Sequence, residues 1–184
     1  MGVRKYLTKN EIDKLICISR FEHHSERNAC IIKMSFIHGL RVSELCSLRL
    51  EDIDLDSKTI YIYRLKGGLS TIHPLTDEEL PYIQAWLKVR DQLKEADSPW
   101  LFPSRKGNPF CRQSIFNMLK KYGKLAKIST APHPHMLRHA CGFALADLGT
   151  STRIIQDYLG HRNIQHTVIY TASNATRFLN IWER

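Results

Sequence analysis

Six residues spread along this chain of 184 could together do chemistry on a phosphodiester: Arg41, Lys66, His135, Arg138, His161 and Tyr170. Tyr170, in H-T-V-I-Y-T, offers an oxygen nucleophile. Attack on phosphorus builds charge on the non-bridging oxygens, and a planar guanidinium matches two of them while staying charged at any working pH. Arg41, in G-L-R-V-S-E-L, and Arg138, in H-P-H-M-L-R-H, are the pair for that task. Two such groups on one phosphate act as an oxyanion hole, where losing one donor costs about 10²–10³ in rate. His135 and His161 can donate hydrogen bonds or shuttle protons. Lys66, in R-L-K-G-G, falls where Gly67-Gly68 permits a tight hairpin turn. Its ammonium is suited to protonating a leaving oxygen, provided its pKa falls toward neutrality.

Each of these residues also has a plain structural reading. Arg41 can pair with Glu44 at i+3 on a helix surface, which is worth only about 0.2–0.5 kcal/mol. His135 can cap a helix start, and helix geometry does not exclude His139 in its place; His133 is a further spare. Lys66 can be a solvated turn residue. Tyr170 can be packing, and Tyr158, Tyr122 and Tyr6 are rivals, although none of them follows a G-H pair at this spacing. An unperturbed phenol is only about one part in a thousand ionised at pH 7. Arg41, Arg138 and His161 nearby are expected to favour the phenolate.

The elements that must position this set are mostly helices. Thr8, with Glu11 three residues on, has capping-box spacing, and the pattern predicts a first helix to about Arg20 with Ile12, Leu15, Ile16 and Ser19 inward. A second helix is expected from about Ser25 to His38, broken by Gly39, and a short third from about Arg41 to Leu48. The period then changes, and I-D-L, T-I-Y-I-Y-R-L and T-I-H-P-L between Asp52 and Leu75 read as strands. Thr76 and Glu79 cap a helix expected to reach about Glu95, and Pro99 to Pro109 reads as a loop. Helices follow at about Arg112 to Lys127, Pro134 to Leu148, Thr152 to Leu159 and His166 to Tyr170. The i, i+3 spacing puts His135 and Arg138 on one face, with Met136, Leu137 and Ala140 toward the core. Gly160 ends its helix and frees His161 to turn. The expected fold is mainly α with a small antiparallel β-sheet.

Composition bounds the partners. The length suits a single domain with a real core. Hydrophobic content is 43%, and no apolar run approaches the roughly 20 residues of a membrane span. No signal-peptide h-region opens the chain, so a cytoplasmic location with no membrane partner is expected. Cys17, Cys30, Cys46, Cys111 and Cys141 are scattered, with no C-x-x-C, and read as reduced, mostly buried thiols. His133, His135, His139, Cys141, His161 and His166 lie near one another, yet the paired cysteines of structural zinc are missing, so no metal is expected. Net charge is +9, with 27 Lys and Arg against 18 Asp and Glu, and a compact basic domain attracts nucleic acid. Arg105, Lys106, Arg112, Lys120, Lys121 and Lys124 are candidate phosphate contacts, or a solvated charged face.

The ordered set of six resembles the signature of the tyrosine recombinase (phage integrase) family, over nearly the whole chain. The phrases A-P-H-P-H-M-L-R-H-A-C-G, Q-D-Y-L-G-H-R-N-I and Y-T-A-S-N-A-T-R-F, with the small size, are similar to its fimbrial phase-switch branch. The resemblance implies a 3′-phosphotyrosine intermediate, rejoining without ATP, metal or cofactor, and catalytic roles for all six residues. It selects His135 over His139 and makes Glu44 a carboxylate that holds the site. It implies double-stranded DNA with inverted repeat sites, a homotetramer on DNA, accessory DNA-bending proteins, and a place at the bacterial nucleoid. Two alternatives stay open: an integrase or resolvase with other sites, and a catalytically silent DNA-binding regulator on the same fold. In the tail from Thr171 to Arg184, Phe178, Ile181 and Trp182 share one helical face, which in this family commonly packs on a neighbouring protomer.

Overall fold

The computed structural model describes residues 4–65 and 67–172; Lys66 and the tail beyond Ala172 lie outside the described residues. Eight helices are formed among the described residues: α1 (Lys9–Ser19), α2 (Ser25–Ile37), α3 (Val42–Cys46), α4 (Leu80–Arg90), α5 (Arg112–Leu125), α6 (Pro134–Asp147), α7 (Thr152–Leu159) and α8 (Gln165–Ala172). Between α3 and α4 lie β1 (Ile53–Asp54), β2 (Thr59–Ile62) and β3 (Thr71–Pro74), paired antiparallel in that order. The expected class, mainly helical with one small antiparallel sheet, is the one observed. No helix among the described residues is long and apolar enough to cross a membrane.

The middle of the molecule is α2. Every residue from Asn28 to Phe36 is buried, because α1, α4 and α6 all pack around it. Lys33 is tolerated there because its ammonium reaches Glu78 at 2.6 Å. The capping box of α1 forms as expected, with Thr8 N–H donating to Glu11 Oε2 at 2.9 Å and Ile12, Leu15, Ile16 and Ser19 turned inward. Ile60 and Ile62 of β2 face the core, and Tyr61 between them faces out.

At three helix boundaries the departure from the sequence expectation has a local reason. Arg41 is the N-cap of α3 in extended backbone (φ −69°, ψ 147°) rather than its first residue, because Glu44 folds back onto the Arg41 N–H at 2.9 Å. The Thr76–Glu79 bonds form at 2.7 and 3.0 Å, yet they close a turn ahead of the helix, which begins only at Leu80 with Pro81 in its first turn. The same helix stops at Arg90, whose buried guanidinium donates to the carbonyls of Ala96, Ser98 and Trp100 and turns the chain into the following loop.

Candidate active site

Glu44 is the centre of the site. It is 1% exposed, and three guanidinium groups from three different segments point at it. Arg41, one turn back, donates from Nη1 to Oε1 at 2.6 Å. Arg64, two residues past the end of β2, donates to Oε2 at 2.9 Å. Arg138, on α6, brings Nη1 to 3.9 Å from the same oxygen. Burial alone would raise the carboxyl pKa, but Arg64, the Arg41 N–H and the Arg41 guanidinium outweigh it and hold the pKa below the ordinary value. Arg138 is drawn down to about 10 by burial and by Arg41 and Arg64, so it stays cationic at neutral pH.

Arg138 and Arg64 also tie two helix ends together. Arg138 donates to Gly39 O at 2.5 Å and Leu159 O at 2.6 Å. Arg64 donates to the neighbouring carbonyls, His38 O at 3.2 Å and Tyr158 O at 2.5 Å. The His38, Tyr158 and Leu159 carbonyls end α2 and α7, where a cation also complements the helix dipole, and Gly39 follows directly after α2. Gly39 makes the junction possible: at φ +55° a side chain is strained, and a Cβ there would sit 2.3 Å from Leu159.

His161 follows the left-handed Gly160 cap of α7 (φ 64°), as the sequence implies. Its Nδ1 lies 2.8 Å from Thr167 Oγ1, and its ring is nearly parallel to that of Tyr170, with centroids 6.4 Å apart. Burial, Arg138 and Arg41 push its pKa down to about 3, so the ring is neutral at pH 7. In the tautomer where the Thr167 hydroxyl donates to Nδ1, the proton sits on Nε2, which is then a neutral hydrogen-bond donor.

Tyr170 is 1% exposed. Its ring lies across α6 at Gly142, where a Cβ would be 2.6 Å from ring carbons, and edge-on to Phe143 at 5.2 Å. Its hydroxyl meets His139 Nδ1 at 3.0 Å. The expectation that nearby cations favour the phenolate is corrected here: burial outweighs the pull of Arg138 and raises the phenol to about 12. His139 is pushed below the ordinary imidazole value by burial, His135 and Arg138, so it is neutral and able to accept the phenol proton. Two of the rival tyrosines have their hydroxyls engaged elsewhere. Tyr158 donates to Ile37 O at 3.0 Å and stacks on His73 at 3.8 Å, and Tyr122 accepts from Asn28.

Of the six sequence candidates, Arg41, Arg138, His161 and Tyr170 are brought together with Glu44. His135 stands at the exposed start of α6, edge-on to His133 at 6.5 Å and beside Val42 and Phe116 in an open recess. Lys66 lies outside the described residues; Gly67, the first glycine after it, is left-handed (φ +69°). Sequence pattern does not single out Arg64, nor the His139 bond to Tyr170; the phrase R-L-K-G-G carries Arg64, but nothing local marks it as buried. Among the candidate phosphate contacts, Arg105, Lys106, Arg112, Lys120 and Lys124 are exposed, and Lys121 pairs with Glu22 at 2.5 Å. Cys30, Cys46 and Cys141 are buried free thiols, while Cys17 and Cys111 are exposed.

A model described as the phage integrase family matches residues 5–177. The chain is 53% identical over 181 residues to the type 1 fimbriae regulatory protein FimB of Escherichia coli (strain K12), covering 98% of this chain and 90% of that one. It is 45% identical over 185 residues to the type 1 fimbriae regulatory protein FimE of the same strain, covering 100% and 93%. Its fold superposes on the crystal structure of XerA recombinase with a TM-score of 0.82 at 30% identity, over 100% of this chain and 65% of that one.

Proposed function

The chain belongs to the phage integrase family, the tyrosine recombinases, and we propose that it cuts and rejoins double-stranded DNA through a covalent bond to Tyr170. It is a site-specific recombinase of the fimbrial-switch type. The reaction we assign to it is inversion of a promoter segment between short inverted repeats. The observation that carries the reading is the meeting of Arg41 and Arg138 on buried Glu44, with His161 and Tyr170 beside them.

In this mechanism Arg41, Arg138 and the Nε2–H of His161 hold the non-bridging oxygens, and His135 adds a donor from the rim. The Tyr170 oxygen bonds to phosphorus as the bond to the 5′-oxygen breaks. The phenol proton leaves through His139, and Lys66 protonates the departing 5′-oxygen. The product is a 3′-phosphotyrosine and a free 5′-hydroxyl, and because the phosphodiester is replaced by another phosphoester, rejoining is the reverse of the same steps. Four protomers on two sites, joined through the segment from Thr171 to Arg184 and helped by accessory DNA-bending proteins, exchange strands pairwise.

The test is a supercoiled plasmid carrying the inverted repeats, incubated with the protein in excess EDTA and quenched in SDS. Resistant protein–DNA adducts through a 3′-phosphate are expected. Absence of adducts would leave a DNA-binding regulator on this fold, and adducts that need a divalent ion would count against the metal-free mechanism. Lys66 has its own check. Lys66→Ala should slow cleavage by about 10²–10⁴ on a normal substrate, the range for losing a general acid. A 5′-bridging sulfur leaves without protonation, so the variant should recover on it; equal defects on both substrates would reassign Lys66 to phosphate binding.

A further inference from the structure

Arg64 is a fully buried cation that the proposed chemistry does not use. Its side chain is 0% exposed. Nη1 serves Glu44 and Nη2 serves the carbonyls ending α2 and α7. Its stem runs over Gly160, where a Cβ would fall 2.8 Å from Arg64 Cγ, and Gly68 at the hairpin base is pressed on Gly160 O. Among the described residues Arg64 Nε is buried without a hydrogen-bond partner. A buried polar atom left without a partner calls for an explanation beyond packing.

We infer that Arg64 is a positioning residue for DNA cleavage, holding Glu44 against Arg41 and fixing the turn from which His161 emerges. The inference rests on the recombinase reading. Glu44 is faced by Arg41 at the N-cap of its own helix, by Arg64 from the segment after β2 and by Arg138 from α6. Three guanidinium groups on one carboxylate leave two net positive charges for a phosphate. Without Arg64 one remains, and Glu44 draws Arg41 and Arg138 away from the substrate. The same loss frees Tyr158 O, one residue before the Leu159 carbonyl that Arg138 holds. His161 then loses its fixed height above the site.

The experiment compares Arg64→Met and Arg64→Lys with the wild type on a half-site DNA carrying a nicked suicide substrate. Affinity is read by gel shift, cleavage by single-turnover adduct formation across pH, and folded fraction by circular dichroism. Both variants are expected to bind within about threefold of wild type and to cleave about 10²-fold more slowly, the scale for misplacing an oxyanion donor. In Arg64→Met the carboxyl of Glu44 loses a cation at hydrogen-bond distance, so the acid limb of the cleavage profile should move up by about one pH unit or more. Arg64→Lys keeps the charge but not the fork, so it should lose rate with a smaller displacement. A purely architectural role would lower the rate only with the folded fraction and leave the acid limb in place; that result, near-normal cleavage, or unfolding of both variants would each overturn the inference. Failure of the wild type to form adducts would instead overturn the recombinase reading.

Discussion

Tyr170→Phe is expected to abolish covalent protein–DNA adducts while leaving the fold and DNA affinity intact. The substitution removes one oxygen and little volume. The ring keeps its seat across Gly142 and against Phe143, since those contacts involve ring carbons. What is lost is the bond to His139 at 3.0 Å. A single neutral hydrogen bond contributes about 0.5–1.5 kcal/mol, so the melting temperature should fall by a few degrees at most. Loss of the attacking atom should leave no partial activity from Tyr158 or Tyr122, whose hydroxyls are engaged elsewhere. Adducts at the wild-type level in this variant would place the nucleophile on another residue. The pKa near 12 sharpens the expectation for the wild type. At neutral pH Tyr170 is protonated, so cleavage depends on passing the proton to His139 or another base at the moment of attack. A pre-formed phenolate would make the rate insensitive to His139.

The parts of this site that depend on local pattern were legible in the sequence. Thr8 and Glu11 are three residues apart and form their capping box; Gly160 falls where a helix must stop and adopts the left-handed cap that releases His161. The i, i+3 spacing of His135 and Arg138 is less telling, since His135 stands exposed at the start of α6 while Arg138 is buried. The parts set by distant packing were not legible. Arg64 stands in a strand-like run and looks like any polar strand residue until α3, the end of α2 and the end of α7 converge on it. His139 lies one residue past the arginine of its motif, and only the approach of α8 to α6 gives it the Tyr170 hydroxyl. The charge state of Tyr170 follows the same division. Counting cations in the sequence predicts a lowered phenol pKa, whereas burial in a core that sequence spacing does not display raises it.

Glu44→Gln should have the largest effect on stability of any single change at this site. The side chain keeps its shape, so packing is not at issue. The wild-type carboxylate accepts from the Arg41 N–H at 2.9 Å, Arg41 Nη1 at 2.6 Å and Arg64 Nη1 at 2.9 Å. A glutamine has one acceptor oxygen and one NH2 donor, and either orientation sets that donor against an arginine donor. The variant also leaves three guanidinium groups with no anion, two of them buried. Removing one partner of a buried ion pair costs about 3–5 kcal/mol, a large share of the roughly 5–15 kcal/mol that holds a domain folded. Urea denaturation should show that loss. Glu44→Asp, which keeps the charge on a shorter stem, should fall between the variant and wild type. A distinctive consequence follows from linkage. An anion that binds the uncovered arginine cluster in the folded state stabilises it in proportion to its occupancy. Inorganic phosphate or sulfate should therefore raise the melting temperature of Glu44→Gln more than that of the wild type, whose cluster already holds one negative charge. A variant as stable as the wild type, or one whose stability responds to phosphate no more than the wild type does, would show that Glu44 is not the anion holding these three cations together.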